Sequence, residues 1–341
     1  MGLGVEGGVA LGRALERRVP IRSLDLWSNG IGPAGAASLA KGIFASGHLH
    51  TLSLKGNFIG PAGMRELSSA LEGNLTVTTL DVSGNRLGVE GGKALASLLT
   101  ANQHLKNVYA SGNNLDNEGV AALAEALRTN ATVSTLNLQL NRISDAGAKD
   151  IAAILANNKA HTLTGLNLTH LDLGWNHITQ VGARSLADML KANRVLCGLG
   201  LEGNRITAEG GMYLCESLEN NHALTFLNIA SCNLRKTGGT SIAALLRKNA
   251  TLEELIVKKN GLTSQGVQSL ADGLKRNLVL KKLDLCENRI DLDGAVALAE
   301  IFRLNNGLTH VKLAGNALTD EGVFALKEAA TRNTKLTYTF S

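Results

Sequence analysis

The sequence has few of the residues on which aromatic cores, disulfide frameworks and membrane spans depend. Only 3% of the 341 residues are aromatic although 44% are apolar, so Leu, Ile, Val and Ala must supply the core. The 4 Cys form no C-x-x-C pair, which argues against a disulfide framework and agrees with a reducing, cytoplasmic setting. Only 3 Pro occur, and no linker is visible. Because no leader and no bilayer-length apolar run is present, we expect neither secretion nor membrane insertion.

Signatures of catalysis are also missing. The sequence contains no P-loop, no G-x-S-x-G, no H-E-x-x-H and no paired zinc ligands. Carboxylates recur at one position of the pattern described below, at Asp25, Asp81, Asp172 and Asp284. Such spacing is typical of polar residues on the solvated side of a sheet. We therefore expect no enzyme activity, no cofactor and no metal site.

A repeat runs through almost the whole chain. Residues 80–87 read LDVSGNRL, and the Asn of this segment recurs with nine of ten steps equal to 28 residues. The Asn positions are 29, 57, 85, 113, 141, 176, 204, 260, 288 and 316, with Cys232 in the remaining copy. A Gly stands six residues after each position, and a Leu or Ile stands ten residues after it. A period of this length predicts a solenoid.

Each L-x-L segment predicts a short strand whose leucines point into the core. After the Asn the chain turns, and apolar residues then follow at helical spacing, as at Leu123 and Leu127. A single strand and helix cannot bury an apolar face alone, so neighbouring copies must stack. The amide of the Asn is expected to satisfy backbone groups in the turn, whereas the thiol of Cys232 is a poorer substitute.

The pattern L-x-L-x-x-N-x-[IL]-x-x-x-G-[AGV]-x-x-L-[AS]-x-x-L resembles the ribonuclease-inhibitor-like class of leucine-rich repeats over the whole chain. That class also forms the sensor arm of NLR-type immune receptors. The resemblance implies an α/β right-handed solenoid, a horseshoe with a parallel sheet on its concave face and helices on its convex face. It also implies a single domain over residues 1–341, with about eleven 28-residue repeats. The function implied is a non-catalytic scaffold or sensor arm that binds a protein partner.

One step of the repeat is longer than the others. Asn141 and Asn176 are 35 residues apart, which places a 7-residue insertion near residues 159–170. The insertion includes a second strand-like half at residues 163–168. Three histidines and a tryptophan gather around it, at His161, His170, His177 and Trp175. Their spacing is not that of metal ligands, so a partner-contact bulge and a neutral insertion both stay open.

A second Asn ladder marks the end of each helix, at Asn74, Asn102, Asn130, Asn158, Asn193, Asn221, Asn249, Asn277, Asn305 and Asn333. Because Asn tolerates a left-handed conformation, we expect these residues to close helix C-termini. Asn74, Asn130 and Asn249 also begin N-x-T sequons. We interpret those sequons as by-products of capping.

The outward strand positions hold varied side chains, at Trp27, Lys55, Tyr109, Gln139, Trp175, Glu202, Phe226, Lys258 and Lys312. Variation at solvent-facing positions of a constant frame is how repeat proteins encode partners, and Trp and Tyr are favoured anchors. Charge along this wall is mixed. We therefore predict that the concave face binds a folded protein of unknown identity.

A basic stretch is the main electrostatic feature of a chain whose net charge is only +5. Besides Lys258 it comprises Arg235, Lys236, Arg247, Lys248, Lys259, Lys275, Arg276, Lys281 and Lys282. Cations in the last turns of helices also complement the helix dipole. A solvated helix edge, a site for an acidic partner and a nucleic-acid footprint stay open, with nucleic acid the least favoured.

GTPase-activating proteins for the nuclear-transport GTPase Ran share this repeat class and are an alternative. That resemblance implies an irregular loop with an arginine and an acidic C-terminal tail, and neither is evident. Ribonuclease inhibition would imply a cysteine-rich, acidic horseshoe, whereas this chain has 4 Cys and a positive net charge. The chain also opens and closes on incomplete repeats, so apolar residues such as Leu11 and Leu336 are expected to face outwards and to allow self-association.

Overall fold

The computed structural model describes residues 2–156, 166–333 and 335–340. In this part of the chain, twelve helices of 11–14 residues alternate with twelve strands of three residues each. Helix therefore exceeds strand, as the length of the repeat predicts. The chain forms two compact units, Met1–Asn176 and His177–Ser341, which we call the first unit and the second unit. The single domain expected from the sequence stays a prediction.

The first unit contains six helices and six strands. The helices are α1 (Gly4–Glu16), α2 (Gly32–Ala45), α3 (Gly60–Glu72), α4 (Gly88–Ala101), α5 (Asp116–Leu127) and α6 (Asp145–Ala156). The strands are β1 (Ser23–Asp25), β2 (Thr51–Ser53), β3 (Thr79–Asp81), β4 (Asn107–Tyr109), β5 (Thr135–Asn137) and β6 (His170–Asp172). All six strands are parallel and pair in sequence order.

The second unit repeats this arrangement. Its helices are α7 (Gln180–Ala192), α8 (Thr207–Leu218), α9 (Arg235–Lys248), α10 (Thr263–Leu274), α11 (Leu292–Leu304) and α12 (Asp320–Ala330). Its strands are β7 (Gly198–Gly200), β8 (Phe226–Asn228), β9 (Glu254–Ile256), β10 (Lys282–Asp284), β11 (His310–Lys312) and β12 (Thr337–Thr339). They are again parallel and in sequence order.

The leucines of each strand segment build the core. In the third repeat Leu80 and Val82 are fully buried, whereas Thr79 and Asp81 on either side of Leu80 are only half-buried. The residue pairs keep one register, so that Leu80 lies beside Leu52 on one side and Val108 on the other. Stacked apolar side chains therefore form one layer per repeat between strands and helices. The predicted α/β solenoid of parallel strands and alternating helices is confirmed.

The turn Asn ladder holds adjacent repeats together. Asn113 donates from Nδ2 to the carbonyl oxygens of Val82 (2.9 Å) and Ala110 (3.0 Å). Its Oδ1 accepts from the backbone N–H of Asn85 at 2.7 Å. Asn113 is fully buried, so each of these bonds replaces water that cannot reach the turn. The predicted role of this amide is confirmed.

The helix-end Asn ladder is also buried, but the expected left-handed backbone is wrong. Asn102 has φ −88° and ψ 124°, an extended conformation. Its Nδ2 donates to the carbonyl oxygens of Leu71 (2.7 Å) and Asn74 (3.0 Å) in the preceding repeat, and its Oδ1 accepts from the N–H groups of His104 and Leu105. These residues therefore connect repeats through their side chains, and no backbone reversal is needed.

The inserted stretch lies only partly within the described residues. Asn158 of the helix-end ladder, His161 and the first three residues of the strand-like half, at positions 163–165, lie outside them. Residues 166–169 are described and do not form a strand, so the prediction of a second strand is wrong there. Leu166 and Leu168 are nevertheless buried, and they lead directly into β6.

Two apolar residues, Leu11 and Leu336, were expected to face outwards, and the structure differs between them. Leu336 is buried, which contradicts the expectation for that residue. The ring of Tyr338 in the same segment lies 6.0 Å from that of Phe302 and 4.9 Å from that of Phe340. Leu11 on α1 is only half-buried.

Candidate functional site

On the outward face of the sheet in the first unit, an exposed tryptophan lies beside a lysine. Trp27 follows β1, where its backbone N–H donates to Asp25 Oδ1 at 3.1 Å, and 63% of the residue is exposed. Lys55 Nζ lies 5.9 Å from the centre of the indole ring, within cation–π range. Gly56 of the next repeat lies near the indole, and a Cβ placed on it would be 3.7 Å from Trp27 Cδ1. The sequence therefore places an aromatic anchor on this face.

The other predicted residues of this wall in the first unit are less accessible. Tyr109 is half-buried at the end of β4, beside Asp81 and Asn137 of the neighbouring strands. Gln139 is also half-buried, and its Nε2 donates to Asp172 Oδ2 at 2.6 Å. These two side chains can contribute polar contacts, but the exposed apolar surface is supplied by Trp27.

Trp175 was predicted on the outward strand face, and this is wrong. It lies in the turn after β6, directly before Asn176, with 48% of the residue exposed and φ +55°. Other copies hold Gly56, Gly84 and Gly112 at this position, with φ of +70°, +67° and +65°. A bulky residue in a left-handed conformation is strained. Neither burial nor backbone geometry explains the tryptophan.

Two residues missed by the sequence analysis share this turn edge, which we define as the residues from the one directly before each turn Asn, or before Cys232, to the first turn of the next helix. Leu140 occupies the same repeat position as Trp175, with φ +55° and 54% exposure. Phe58 is exposed with φ +57°, and the Arg86 guanidinium lies 4.5 Å from its ring centre. Bulky apolar residues at turn positions that hold Gly in other repeats were the sequence signal for them.

On the outward sheet face of the second unit, charges are paired. Lys258 Nζ lies 2.9 Å from Glu287 Oε1, and Lys282 Nζ lies 3.0 Å from Glu254 Oε2. The hydrogen bond from Lys258 lowers the pKa of the Glu287 carboxyl, and that carboxylate raises the pKa of Lys258. Lys312 is exposed on β11 with its Nζ 4.0 Å from Asp284 Oδ2. This wall carries little unbalanced charge.

Two further predicted residues of this wall lie close together. Phe226 begins β8 and is half-buried, and it pairs with Glu254 of β9. Glu202 accepts a hydrogen bond from Asn228 Nδ2 at 3.1 Å. The half-buried Ile256 lies beside Asn228 in the register. Small apolar areas therefore lie among paired polar groups.

The basic stretch is not one surface. Four of its cations lie at or just beyond the carboxyl ends of α9 and α10, at Arg247, Lys248, Lys275 and Arg276. Lys248 pairs with Glu219 at 2.7 Å, and Lys275 lies between Asp272 (3.1 Å) and Glu300 (3.4 Å). Lys258 and Lys282 lie on the sheet face, and Lys281 precedes β10. Only Arg235, Lys236 and Lys259 come together, with Arg289, around an open pocket at the turn edge.

All four cysteines belong to the second unit and are free. Cys286 follows β10 and is 7% exposed, so it is buried. Burial raises the pKa of Cys286 to about 11 and those of Cys215 and Cys232 to about 12. Cys232 Sγ lies 3.3 Å from the carbonyl oxygens of both Leu201 and Ala230, so its one proton serves two acceptors. Such thiols are poor nucleophiles.

Within the residues that the structure describes, no cluster of three or more His, Cys, Asp or Glu side chains is arranged to hold a metal ion. His170 is exposed on β6, and its Nδ1 lies 3.0 Å from the hydroxyl oxygen of Thr169. Among the described helices, none combines the length and the apolar character needed to cross a membrane.

Comparison with known proteins gives a match to a repeat model described as leucine-rich repeat. The matched segments are 20–40, 46–68, 73–96, 101–124, 129–152, 166–187, 220–243, 248–271, 276–299 and 305–327. Together they make up more than half of the chain. No curated protein sequence matches.

Several solved structures are similar in fold. The crystal structure of the Rad7 and Elc1 complex in yeast matches with a TM-score of 0.54 and 17% identity, covering 100% of this chain and 89% of that chain. An internalin from Listeria monocytogenes matches with a TM-score of 0.47 and 15% identity, covering 98% and 93%. The tropomodulin C-terminal domain of Caenorhabditis elegans has a TM-score of 0.38 and 17% identity, covering 47% and 92%. At such identities the likeness concerns the fold alone.

Proposed function

The chain belongs to the leucine-rich repeat family, and we propose that it is a non-catalytic scaffold or sensor arm that binds a folded protein partner. The partner contacts the outward sheet face of the first unit and the adjoining turn edge. Trp27 and Trp175 are the proposed anchors, with Lys55, Tyr109 and Gln139 as surrounding polar contacts.

The observation that supports this proposal is the exposure of both tryptophans. The chain has only 2 Trp, and 63% of Trp27 and 48% of Trp175 are accessible to solvent. Tryptophan is highly buried on average in folded proteins and is enriched at the energetic centres of interfaces. Neither residue stabilises the core of this chain, so a contact with another molecule accounts for them better than packing does.

The charge pattern favours a folded protein over a polyanion on the sheet face. In the second unit Lys258 and Lys282 on that face are neutralised by Glu287 and Glu254. In the first unit the Lys55 ammonium faces the Trp27 ring. A polyanion needs uncompensated cations along its path, whereas a protein surface can use mixed polar and aromatic contacts.

Within the family, we propose membership in the ribonuclease-inhibitor-like class. The 28-residue period and a helix of 11–14 residues in each repeat support this assignment. The four free cysteines support a reducing, cytoplasmic setting.

Capture from a native cell extract tests the proposal, with a matched pair of variants as bait. The test variant is Trp27→Ala/Trp175→Ala. The control is Phe44→Ala/Phe324→Ala, which removes two aromatic residues that are 70% and 68% exposed on helices α2 and α12. We expect the specific partner to be retained by wild type and control and lost from the tryptophan variant. Binding would then be measured with the purified partner.

If the tryptophan variant and the control capture and bind that partner equally, the sheet face is not the binding surface. Circular dichroism must show the same melting temperature for all three proteins, so that loss of binding is not loss of folding.

Self-association through the first repeat also belongs to the proposal. Leu3 and Val5 are exposed at the start of α1, and exposed apolar patches often mark contacts. We expect light scattering to detect dimers at high micromolar concentration and the variant Leu3→Ser/Val5→Ser to remain monomeric. A monomeric wild type under those conditions would exclude it.

A further inference from the structure

A pocket at the turn edge of the second unit is lined by four cations from three successive repeats. Arg235 and Lys236 begin α9, Lys259 lies in the turn after β9, and Arg289 lies in the turn after β10. All four side chains are exposed. The rest of the lining is uncharged except for one carboxylate, that of Glu287; the uncharged residues are Ser231, Asn233, Asn260, Gly261 and Thr263. The chain thus brings together positive groups that are up to 54 residues apart in sequence.

These four cations lack ion pairs, in contrast to most of the other lysines of the basic stretch. None of the four forms an ion pair with a carboxylate of the described residues, whereas Lys248, Lys258, Lys275 and Lys282 all do. Two carboxylates lie nearby, and both are engaged. Glu287 pairs with Lys258, and Asp291 accepts hydrogen bonds from the Ser264 hydroxyl and from the N–H of Asp293. Positive charge is therefore left over at this pocket.

Helix starts add to this positive potential. Helices α9 and α10 have no side-chain cap and no acidic residue in their first turn. By contrast α11 and α12 are capped by Asp291 and Thr319, and both have acidic first turns. Cations at a helix N-terminus oppose the helix dipole, so Arg235 and Lys236 weaken the start of α9. Their position is unfavourable for the helix and favourable for an anion.

The backbone gives a second reason to look beyond folding. Arg235, Lys259 and Arg289 have φ of +55°, +55° and +60°. At the positions of Arg235 and Lys259 other copies hold glycines, among them Gly60 and Gly84. A left-handed conformation costs an L-residue roughly 1–2 kcal/mol. Arg235 and Lys259 thus occupy left-handed positions that favour glycine, and neither side chain forms an ion pair with a described residue that would offset this cost.

From these observations we propose that this pocket binds an acidic segment of a protein partner, a short run of clustered Asp or Glu carboxylates. The site is separate from the tryptophan surface of the first unit. Two guanidinium groups can each take a carboxylate through two hydrogen bonds, while Lys236 and Lys259 supply charge at less defined angles.

A protein segment fits this pocket better than a nucleic acid does. Non-specific nucleic-acid sites track a phosphate backbone with a long basic groove and stack bases on aromatic side chains. Here the four cations surround one pocket and do not line a long groove, and no aromatic side chain lines the pocket. The neighbouring lysines on the sheet face are already paired. A compact group of carboxylates therefore matches the extent of the charge.

Fluorescence anisotropy with a labelled hexaglutamate peptide and the full chain tests this proposal. We expect salt-sensitive binding that weakens at least tenfold in Arg235→Gln/Lys259→Gln/Arg289→Gln. The control is Arg247→Gln/Lys275→Gln/Arg276→Gln, which removes the same number of charges at the opposite helix ends of the same unit. It should retain affinity within about twofold. If both triple variants weaken peptide binding equally, or if wild type does not bind the peptide at low salt, the proposal that this pocket binds clustered carboxylates is refuted.

Single variants and competitors make the test sharper. Arg289→Gln should weaken peptide binding several-fold, whereas Arg142→Gln, at the same repeat position of the first unit with φ +61°, should not. Oligo-dT and a phosphoserine peptide of equal length serve as competitors. If either binds tighter than hexaglutamate and depends on the same three residues, the assignment to clustered carboxylates is overturned. The tryptophan double variant should bind hexaglutamate normally, which separates this proposal from the protein-binding proposal.

Discussion

The turn edges of the two units share left-handed backbone positions but differ in the side chains found there. In the first unit these positions include exposed apolar groups at Phe58, Leu140 and Trp175 besides cations such as Arg142. In the described part of the second unit they include no apolar side chain, and Arg235, Lys259 and Arg289 come together there. Both edges are held by the same buried Asn ladder, as Asn113 and Asn260 illustrate. Side chains at this edge are therefore free to change because the Asn amides, and not their neighbours, maintain the turn.

The comparison also shows how to recognise functional positions in a repeat. Gly56, Gly84, Gly112 and Gly203 satisfy the left-handed turn at little cost. Where the same position holds Trp175 or Lys259, the turn is strained and the side chain is exposed or only partly covered. A residue that helps neither the backbone nor the core has its explanation outside the folded chain.

The largest expected effect comes from removing the frame that both edges share. Asn113→Ala strands the N–H of Asn85. It also removes one of the two side-chain hydrogen bonds that the carbonyl oxygens of Val82 and Ala110 each accept. Each stranded buried group costs on the order of 1–3 kcal/mol. Urea denaturation should show a much lower midpoint than for wild type.

The control for this change is Ser111→Ala, two residues earlier, where the half-buried side chain makes no comparable set of bonds. Its midpoint should stay near that of wild type, and equal midpoints for the two variants would refute the role of the amide. In the second unit the ladder is interrupted at Cys232, so Cys232→Asn should be neutral or stabilising.

Exchanging residues between glycine and non-glycine turns should have the next largest effect. Gly84 has φ +67°, and a Cβ there would make only an ordinary contact, 3.7 Å from Gly56, so Gly84→Ala tests mainly the backbone. We expect a loss of about 1 kcal/mol after allowing for the lower entropy of the unfolded chain. Lys259→Gly, with φ +55° in the second unit, should recover a similar amount.

Thermal denaturation of the two variants at high salt checks this prediction, since salt screens the charge removed with Lys259. If Lys259→Gly is clearly destabilising, the lysine contributes to the fold, and the inference of a binding role at the second turn edge loses one of its supports.

The periodic part of the fold could be predicted from sequence because every repeat must meet the same burial and hydrogen-bonding requirements. The Asn positions, the L-x-L strands and the helices follow from burial and hydrogen bonding within one repeat and its neighbour. Trp175 was assigned to a strand, and the ten basic residues were described only as one stretch, because a sequence does not show which edge of the repeat each position faces. Arg289 was missed since its partners are Lys259 and Arg235, one and two repeats away.

Conformation was harder to predict than position. The helix-end Asn residues were found, but their backbone is not left-handed. The side chain of Asn102, for example, donates to two carbonyl oxygens of the neighbouring repeat, and these bonds decide its geometry. Left-handed Leu140 and Lys259 could not be recognised from propensity, since both residue types avoid that region.

Completing the helix-end ladder of the first unit should give a smaller gain. Ser46 occupies the position of the ladder Asn, with φ −80° and ψ 119°, close to the values for Asn102. Its hydroxyl is buried and is the one such atom of the described residues without a hydrogen-bond partner. Ser46→Asn should stabilise by about 1 kcal/mol through new bonds to the neighbouring backbone.

Calorimetry measures this gain, and Ser46→Ala is the control that only removes the unpaired hydroxyl. The alanine variant should differ little from wild type. A melting temperature of Ser46→Asn at or below that of Ser46→Ala would mean that the first ladder position has no room for the amide.

The smallest expected change in melting temperature comes from Arg289→Gln, which tests the difference in charge between the two turn edges. Arg289 lies with Lys259 and Arg235 around one pocket, so Arg289→Gln removes like-charge repulsion. Arg142 has the same repeat position and nearly the same φ, and it makes no such cluster. At low ionic strength Arg289→Gln should therefore raise the melting temperature slightly, by less than Ser46→Asn does, while Arg142→Gln leaves it unchanged. At about 1 M salt the screening length falls to about 3 Å and the two variants should behave alike. A rise that persists at high salt would show that the gain comes from the backbone or from packing, and the second turn edge would then lack the excess positive charge that distinguishes it from the first.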